Sequence, residues 1–411
     1  MANGSARLRI LFIARQYPPN MAWGGIGAYV ATIGVALAAR GHEVHVLSCV
    51  EGQANRDYVD KGVFVHDRGG SIPAEGLWNM SKKIVKGMLK IPKTLWRIEK
   101  GLGAYCEYRR LGLSVDVIEY PDWGGLGTVF AALKGRPLVA TLHTPPPSAY
   151  RIPMSRDMRW AWSLVYQSCR RADVTTLTSE FHLNALKADH WDPGENIRFI
   201  PLLIDCEEWK SSGPVSCTDP IVLFAGRLER VKAPEVLVDA IALVRRKIPG
   251  ATAVFAGNSG EEREGLPYLD WLKATAGDLS GCVFAGAVPR KEMRTYLSRS
   301  RVLAIPSVFD VYPVASLEAM AAGRPVVATR TTGTSALIER YGCGTAVPPS
   351  DPVALAEALL PYLSDPRYAA EAGERAQSAV RENNDVDVIA AERETVYLEA
   401  IRRFNRMPED I

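Results

Sequence analysis

No Cys-x-x-Cys pair occurs anywhere in the 411-residue sequence. The seven cysteines (Cys49, Cys106, Cys169, Cys206, Cys217, Cys282 and Cys343) are scattered and odd in number. That pattern favours reduced thiols and argues against a disulfide framework or a zinc site. The N-terminal stretch also lacks a long apolar run: between Met1 and Pro19 there is only Ile10 to Ala14. This is a strand's worth of chain, too short for a signal h-region or a membrane span, and a cytoplasmic location is expected. Neither sign of charge dominates, since 49 Lys and Arg against 46 Asp and Glu leave only +3. No nucleic-acid partner is expected. What is present is ordinary globular composition, with 47% hydrophobic and 23% charged residues, in a chain longer than one typical core. Two domains follow as the expectation.

The most informative stretch runs from Pro306 to Arg330. Arg301 to Ile305 reads as a short buried strand that closes at Pro306. A polar loop follows, then after Pro313 a helix rich in Ala, Leu and Met that Gly323 stops, then a strand from Pro325 through Val326-Val327-Ala328. Strand, loop, helix and strand in this order make one turn of a doubly wound sheet, with the loop at the carboxyl edge where such sheets bind ligands. Asp310 lies in that loop and Glu318 eight residues on, within the helix. The N–H groups of Val314 and Ala315 sit at the helix N-terminus, a natural place for phosphate oxygens. Glu318 beside them can accept hydrogen bonds from vicinal sugar hydroxyls. The competing reading is a solvated loop acid and a helix acid that merely suits the dipole.

In the N-terminal half, Arg9 to Ala14 reads as the first parallel strand. It leads through Gly24 and Gly25 into a helix over Ala28 to Arg40, and His42 to Leu47 is the second strand. Glycines there let backbone N–H groups approach an anion, or serve only a tight turn. From 78 to 110, Lys82, Lys86, Lys90, Lys93 and Arg97 recur at helical spacing opposite Ile84, Met88, Ile91, Leu95, Ile98 and Leu102. Peripheral contact with an anionic membrane surface, guidance of an anionic acceptor, and a plain lysine-rich solvent face all fit, the last being the commonest use of such a face. Strands at Val115 to Tyr120 and Leu138 to Leu142 send loops to the same carboxyl edge. Glu119, Asp122 and Tyr150 are therefore candidate acceptor contacts. His143 follows its strand at once, and a lone histidine at a strand end is more often structural than functional.

Residues 206–220 lose periodicity and gain Ser, Gly and Pro, which places a domain boundary there. Ile221 to Ala225 then opens a second domain and runs into Gly226-Arg-Leu-Glu-Arg-Val-Lys232. Arg227 and Lys232 at such a turn can neutralise a departing phosphate, although charges near a turn are usually surface charges. Asp385-Val-Asp387 has the form of a metal-binding D-x-D, but it opens a helix far from any expected ligand edge. Capping explains it, and no metal is expected.

An acid, seven residues, Glu318, then Ala-Met-Ala-Ala-Gly-Arg-Pro-Val-Val-Ala resembles the signature of the retaining, glycogen-synthase-related glycosyltransferases, family 4 (glycosyl transferases group 1). The resemblance implies the GT-B fold: two doubly wound, Rossmann-like α/β domains facing across a cleft. The acceptor-side domain would span 1–205, the nucleotide-sugar domain 206–385, and a terminal helix over 386–411 would cross back. It implies that Gly226, Arg227 and Lys232 bind the leaving diphosphate and that Gly25, with Gly24, approaches the donor diphosphate. His143 would face the donor sugar, and backbone near Val288 would read the base, uridine or guanosine. Asp310, Tyr312, Val314, Ala315 and Glu318 would line the donor end. Two positions depart from the family pattern: Asp310 stands where Glu is usual, and Pro313 replaces a Gly and deletes an N–H. Both fall where the donor sugar would sit. The implied activity is transfer from a nucleotide-diphosphate sugar to an acceptor with retained configuration, without cofactor or metal. A nucleotide-sugar epimerase and a non-catalytic sugar-nucleotide-binding protein share the fold, while a phosphorylase would need a pyridoxal-binding lysine motif that is absent.

Overall fold

Short apolar strands alternate with helices, and in the structure, a computed structural model, those of the described residues assemble into two mainly parallel sheets. Residues 7–19, 25–49, 54–69, 93–146, 155–210 and 219–405 are described. Gly24, Tyr150 and the lysines at 82, 86 and 90 lie outside them. The chain forms two units, one of residues up to Ile200 together with Ile389 onward, the other Pro201–Val388. The crossing segments explain why these divisions precede the 206–220 stretch and follow Asp385. Ile204 N–H donates to Asn384 at 2.9 Å and Val386 N–H to Ile204 at 3.0 Å, and Trp209 is buried in the second unit's core.

The first unit holds β1 (Arg9–Ala14), β2 (Glu43–Cys49), β3 (Arg56–Asp60), β4 (Val63–Arg68), β5 (Val117–Pro121), β6 (Leu138–Thr141), β7 (Val174–Leu177) and β8 (Ile197–Phe199). Their order is β3-β4-β2-β1-β5-β6-β7-β8, parallel throughout except for the β3–β4 hairpin. The central strands are buried along nearly their whole length, as strands covered on both faces must be. Leu11, Ile13, Phe130, Trp162 and Tyr166 belong to the core on one side of the sheet. The basic stretch enters the described structure as a helix, Lys93–Leu111. Arg97 is not on a solvent face: it is 8% exposed, with its guanidinium 5.3 Å from the ring of Trp162. Among the described residues no helix is long and apolar enough to cross a membrane.

The second unit holds β9 (Ile221–Ala225), β10 (Thr252–Ala256), the hairpin β11 (Glu262–Arg263) and β12 (Leu266–Pro267), β13 (Cys282–Gly286), β14 (Val302–Ile305), β15 (Val326–Thr329) and β16 (Gly344–Val347). The main sheet runs β13-β10-β9-β14-β15-β16, all parallel. Strand order reverses between β9 and β14, so the loops after these two strands part there and leave a crevice at their carboxyl ends. The same reversal lies between β1 and β5 in the first unit.

Candidate functional site

The crevice of the second unit is built by glycine before it is lined by charge. Gly226 N–H donates to Ala256 at 3.0 Å and Leu228 N–H to Asn258 at 2.8 Å, which lays the turn after β9 against the loop after β10. A Cβ on Gly257 would fall 1.8 Å from the Gly226 carbonyl oxygen, so only glycine permits that approach. The turn leaves Arg227 60% exposed on its side chain, with Nη1 3.0 Å from Glu229 Oε2. Glu229 itself is buried, and burial raises its pKa against the pull of Arg227 and Lys232. Val308 N–H donates to Val231 at 2.9 Å and joins the loops after β9 and β14. Across this junction Lys232 Nζ donates to Asp310 Oδ2. The two loops thus bring Arg227, Glu229, Lys232 and Asp310 to one place at the switch point.

The loop after β14 is held from the next loop along. Asp310 N–H donates to the Thr331 carbonyl at 3.0 Å, and the Asp310 carbonyl accepts from Gly333 N–H at 2.9 Å. The Val314–Ala321 helix then starts behind Pro313, and the N–H groups of Val314 and Ala315 precede any intrahelical acceptor. Val314 is exposed. Glu318 receives Arg290 Nη1 at 3.2 Å, and Arg290 also binds Glu208 and lies 4.8 Å over the Trp209 ring. Burial raises the Glu318 carboxyl to about 7 despite the Arg290 cation. Val288 is partly buried beside the same core, after Gly286 in the left-handed region (φ 69°). The Tyr312 side chain packs into the core of the second unit. It is 7% exposed, and its hydroxyl accepts from Asn384 Nδ2 at 3.0 Å, so its ring serves the core.

In the first unit Gly25 is the exposed first residue of the Gly25–Ala39 helix, and a Cβ there would meet nothing within 4 Å among the described residues. Packing does not demand a glycine at this helix start. His143 lies just past β6. Its N–H donates to Asp122 Oδ1 at 3.2 Å, while Thr144 N–H and hydroxyl reach the same carboxylate at 3.0 Å each. His182 Nε2 lies 3.1 Å from the Thr144 carbonyl. The His143 ring stands 4.8 Å from that of Tyr29, tilted by 60°. Burial, then the Arg393 and His182 charges, lower its pKa to about 3, so it is a neutral imidazole near pH 7.

Glu119 and Asp122, the candidate acceptor contacts, are both buried and engaged by partners within the first unit. Glu119 lies within β5, 2% exposed, and accepts from the hydroxyls of Tyr29 (3.0 Å), Thr141 (2.7 Å) and Tyr397 (2.7 Å). Asp122, 1% exposed, spends its oxygens on the His143–Thr144 turn, and burial lifts its pKa to about 6. Both acids sit in the protein interior, because a parallel sheet covered on both faces leaves water no access to them. Sequence reading passed over Glu229, although it lies between Arg227 and Lys232 in plain view. Arg290, Tyr29 and Arg393 carry no local signal, because only the folded chain brings them to their partners. Asp385 caps its helix, accepting from Asp387 N–H at 3.1 Å.

Residues 23–208 match the family model described as Glycosyltransferase Family 4, and residues 219–365 match that for Glycosyl transferases group 1. A glycogen synthase of Mycobacterium tuberculosis is 28% identical over 98% of this chain and 97% of its own. A sucrose-phosphate synthase from Thermosynechococcus elongatus superposes with a TM-score of 0.74 at 21% identity, covering 95% of this chain and 98% of the other. The Anabaena protein HepE, solved in complex with UDP-glucose, gives a TM-score of 0.68 at 18% identity over 96% of this chain and 100% of its own.

Proposed function

The chain belongs to the group 1, family 4 glycosyltransferases, with the GT-B fold, and we propose that it moves a sugar from a UDP- or GDP-linked donor to a small-molecule, natural-product or glycan acceptor with retained anomeric configuration. The observation that carries this reading is the pairing of Arg227 and Lys232 at the strand-switch point. Two cations there meet the charge that grows on the diphosphate as the bond from C1 to its oxygen breaks. Arg227 grips in a forked way and Lys232 acts as a point charge. The N–H groups of Val314 and Ala315 add uncharged donors.

Asp310 anchors Lys232 through Oδ2 and offers Oδ1 to a sugar hydroxyl. His143, neutral, hydrogen-bonds another hydroxyl. Glu318 takes the vicinal hydroxyls of the nucleotide's sugar, and backbone at Val288 meets the base. The acceptor oxygen forms its bond to C1 on the face the phosphate leaves, and its proton passes to a departing phosphate oxygen. Cations and helix N–H groups do the work of a metal clamp, so turnover is expected to persist in EDTA.

Arg227→Ala and Lys232→Ala test the reading. Each is expected to lower turnover by about a hundredfold or more while the melting temperature stays near that of the wild type, and the wild-type product is expected to keep the donor's anomeric coupling constant by NMR. Full turnover in both variants, or an inverted product, overturns it.

A further inference from the structure

Arg393 lies on the Val386–Asn405 helix and is 1% exposed. A guanidinium so deep in a protein is tolerated only with close partners. Its Nη1 donates to Thr141 Oγ1 at 3.1 Å and Thr176 Oγ1 at 3.0 Å, and stands 3.4 Å from Glu119 Oε1. Its Cζ lies 5.4 Å over the ring of Tyr29. Tyr29 is thus held at its hydroxyl by Glu119 and at its ring by the cation, and it faces the His143 imidazole at 4.8 Å. Tyr397, from the same terminal helix as Arg393, donates to the other oxygen of Glu119 at 2.7 Å. All of these residues belong to the first unit.

We propose that Arg393 is a positioning residue for the transfer reaction: through Tyr29 it sets the orientation of the His143 ring that meets the donor sugar. The proposal rests on the assignment of His143 as a donor-sugar contact. The His143 backbone is pinned by Asp122, but that bond fixes the main chain and leaves the imidazole to turn about its side-chain torsions. Tyr29 bounds that rotation. Tyr29 in turn needs both a fixed acceptor at its hydroxyl and a fixed charge at its face, and Arg393 supplies the second while holding Glu119 for the first. Displacing a sugar-binding group by about 1 Å costs up to a hundredfold in rate. A device of this kind therefore shows in turnover rather than in nucleotide affinity. It also gives a chemical reason for the terminal helix to pack where it does, since its Arg393 and Tyr397 reach the same carboxylate.

The test uses the full-length enzyme with histidine labelled in its ring nitrogens. Arg393→Met, Arg393→Lys, Tyr29→Leu, His143→Ala and the Arg393→Met/His143→Ala double variant are compared. Turnover is measured with UDP-glucose or whichever UDP- or GDP-hexose the wild type uses, and the free nucleotide's Kd is measured alongside. Arg393→Met and Tyr29→Leu are expected to move the His143 ring resonances (assigned by their loss in His143→Ala) while those of His66 stay in place. Each should lower kcat about tenfold to a hundredfold, with KM and nucleotide Kd within about twofold. Arg393→Lys should recover part of that loss, and Arg393→Met should add little in the His143→Ala background. Tyr29→Leu keeps Arg393 on its threonines and Glu119, so it carries the test if Arg393→Met folds poorly. His143 signals unmoved in Tyr29→Leu, or a fully additive double variant, overturn the inference. A wild-type kcat in His143→Ala instead removes the assignment of His143 itself.

Discussion

At the scale of single residues, the site is a set of charges whose states follow from what lies beside them. Lys232 pairs with Asp310 at the switch point, which puts a shorter acid than the family's usual Glu directly against the cation. Glu318 carries a testable signature. Its carboxyl titrates near 7 because burial disfavours the charged form more than Arg290 favours it, against 4.5 for an exposed Glu. Between those values the folded chain holds a proton that the unfolded chain has lost. This group's contribution to stability is therefore fully present below about 4.5 and is lost as pH rises to about 7, a change on the order of 1–3 kcal/mol. Glu318→Gln removes the titration. Urea unfolding at pH 5 and pH 8 is expected to show the variant gaining on the wild type at the higher pH. A stability difference that is the same at both pH values would refute the assignment. If Glu318 accepts sugar hydroxyls, donor affinity in the wild type should also fall as pH drops below 7, because the protonated acid has lost an acceptor.

At the scale of elements, β1, β2, β5, β6, β9, β14 and β15 were legible because buried parallel strands are short apolar runs. The strand expected at Arg301 to Ile305 is Val302–Ile305, and the helix expected after Pro313 is Val314–Ala321, ended by Gly323 at φ 73°. The β3–β4 hairpin was not legible. At the edge of its sheet β3 is largely in solvent, so Arg56-Asp-Tyr-Val-Asp60 has no apolar periodicity, and its only signal is the Lys61-Gly62 turn, left-handed at both residues. The buried roles of Glu119 and Asp122 were hidden for a different reason: their partners come from distant segments, and a carboxylate in a strand looks the same whether it ends in water or among hydroxyls. The glycine-built turn is where an element-level change should act. Gly257→Ala must push the Gly226 carbonyl away, and is expected to destabilise the second unit by about 2 kcal/mol or more and to weaken nucleotide diphosphate binding. Gly250→Ala, where a Cβ meets nothing within 4 Å among the described residues, should stay within about 0.5 kcal/mol of the wild type. Equal thermal shifts for the two variants would mean the close approach after β9 is not what the turn depends on.

At the scale of the whole molecule, the chain leaves its first unit after Ile200 and returns to it with the terminal helix, so one core is completed by the two ends of the sequence. The returning helix buries Ile389, Ala390, Val396, Tyr397 and Ala400. Its Glu394 meets Arg40 through two bonds, at 2.6 and 3.0 Å, and His42 at 2.9 Å. The Arg40 hydrogen bond, with that of His42, holds the Glu394 carboxyl below its ordinary pKa, so its contribution is present above about 4.5 and is lost on acidification through the lowered value. The Arg393–Glu119 pair is fully enclosed, and removing one partner of such a pair costs roughly 3–5 kcal/mol out of a domain stability of about 5–15 kcal/mol. Residues 1–200 expressed alone are therefore expected to melt broadly or to aggregate. A short Gly/Ser linker in place of 201–385 is expected to restore a single sharp transition, because Ile204 and Asp385 already lie side by side where the chain departs and returns. Arg393→Met in that fusion should reproduce a large part of the loss. If residues 1–200 alone unfold as cooperatively, and at the same temperature, as the fusion, the terminal helix contributes nothing to that core.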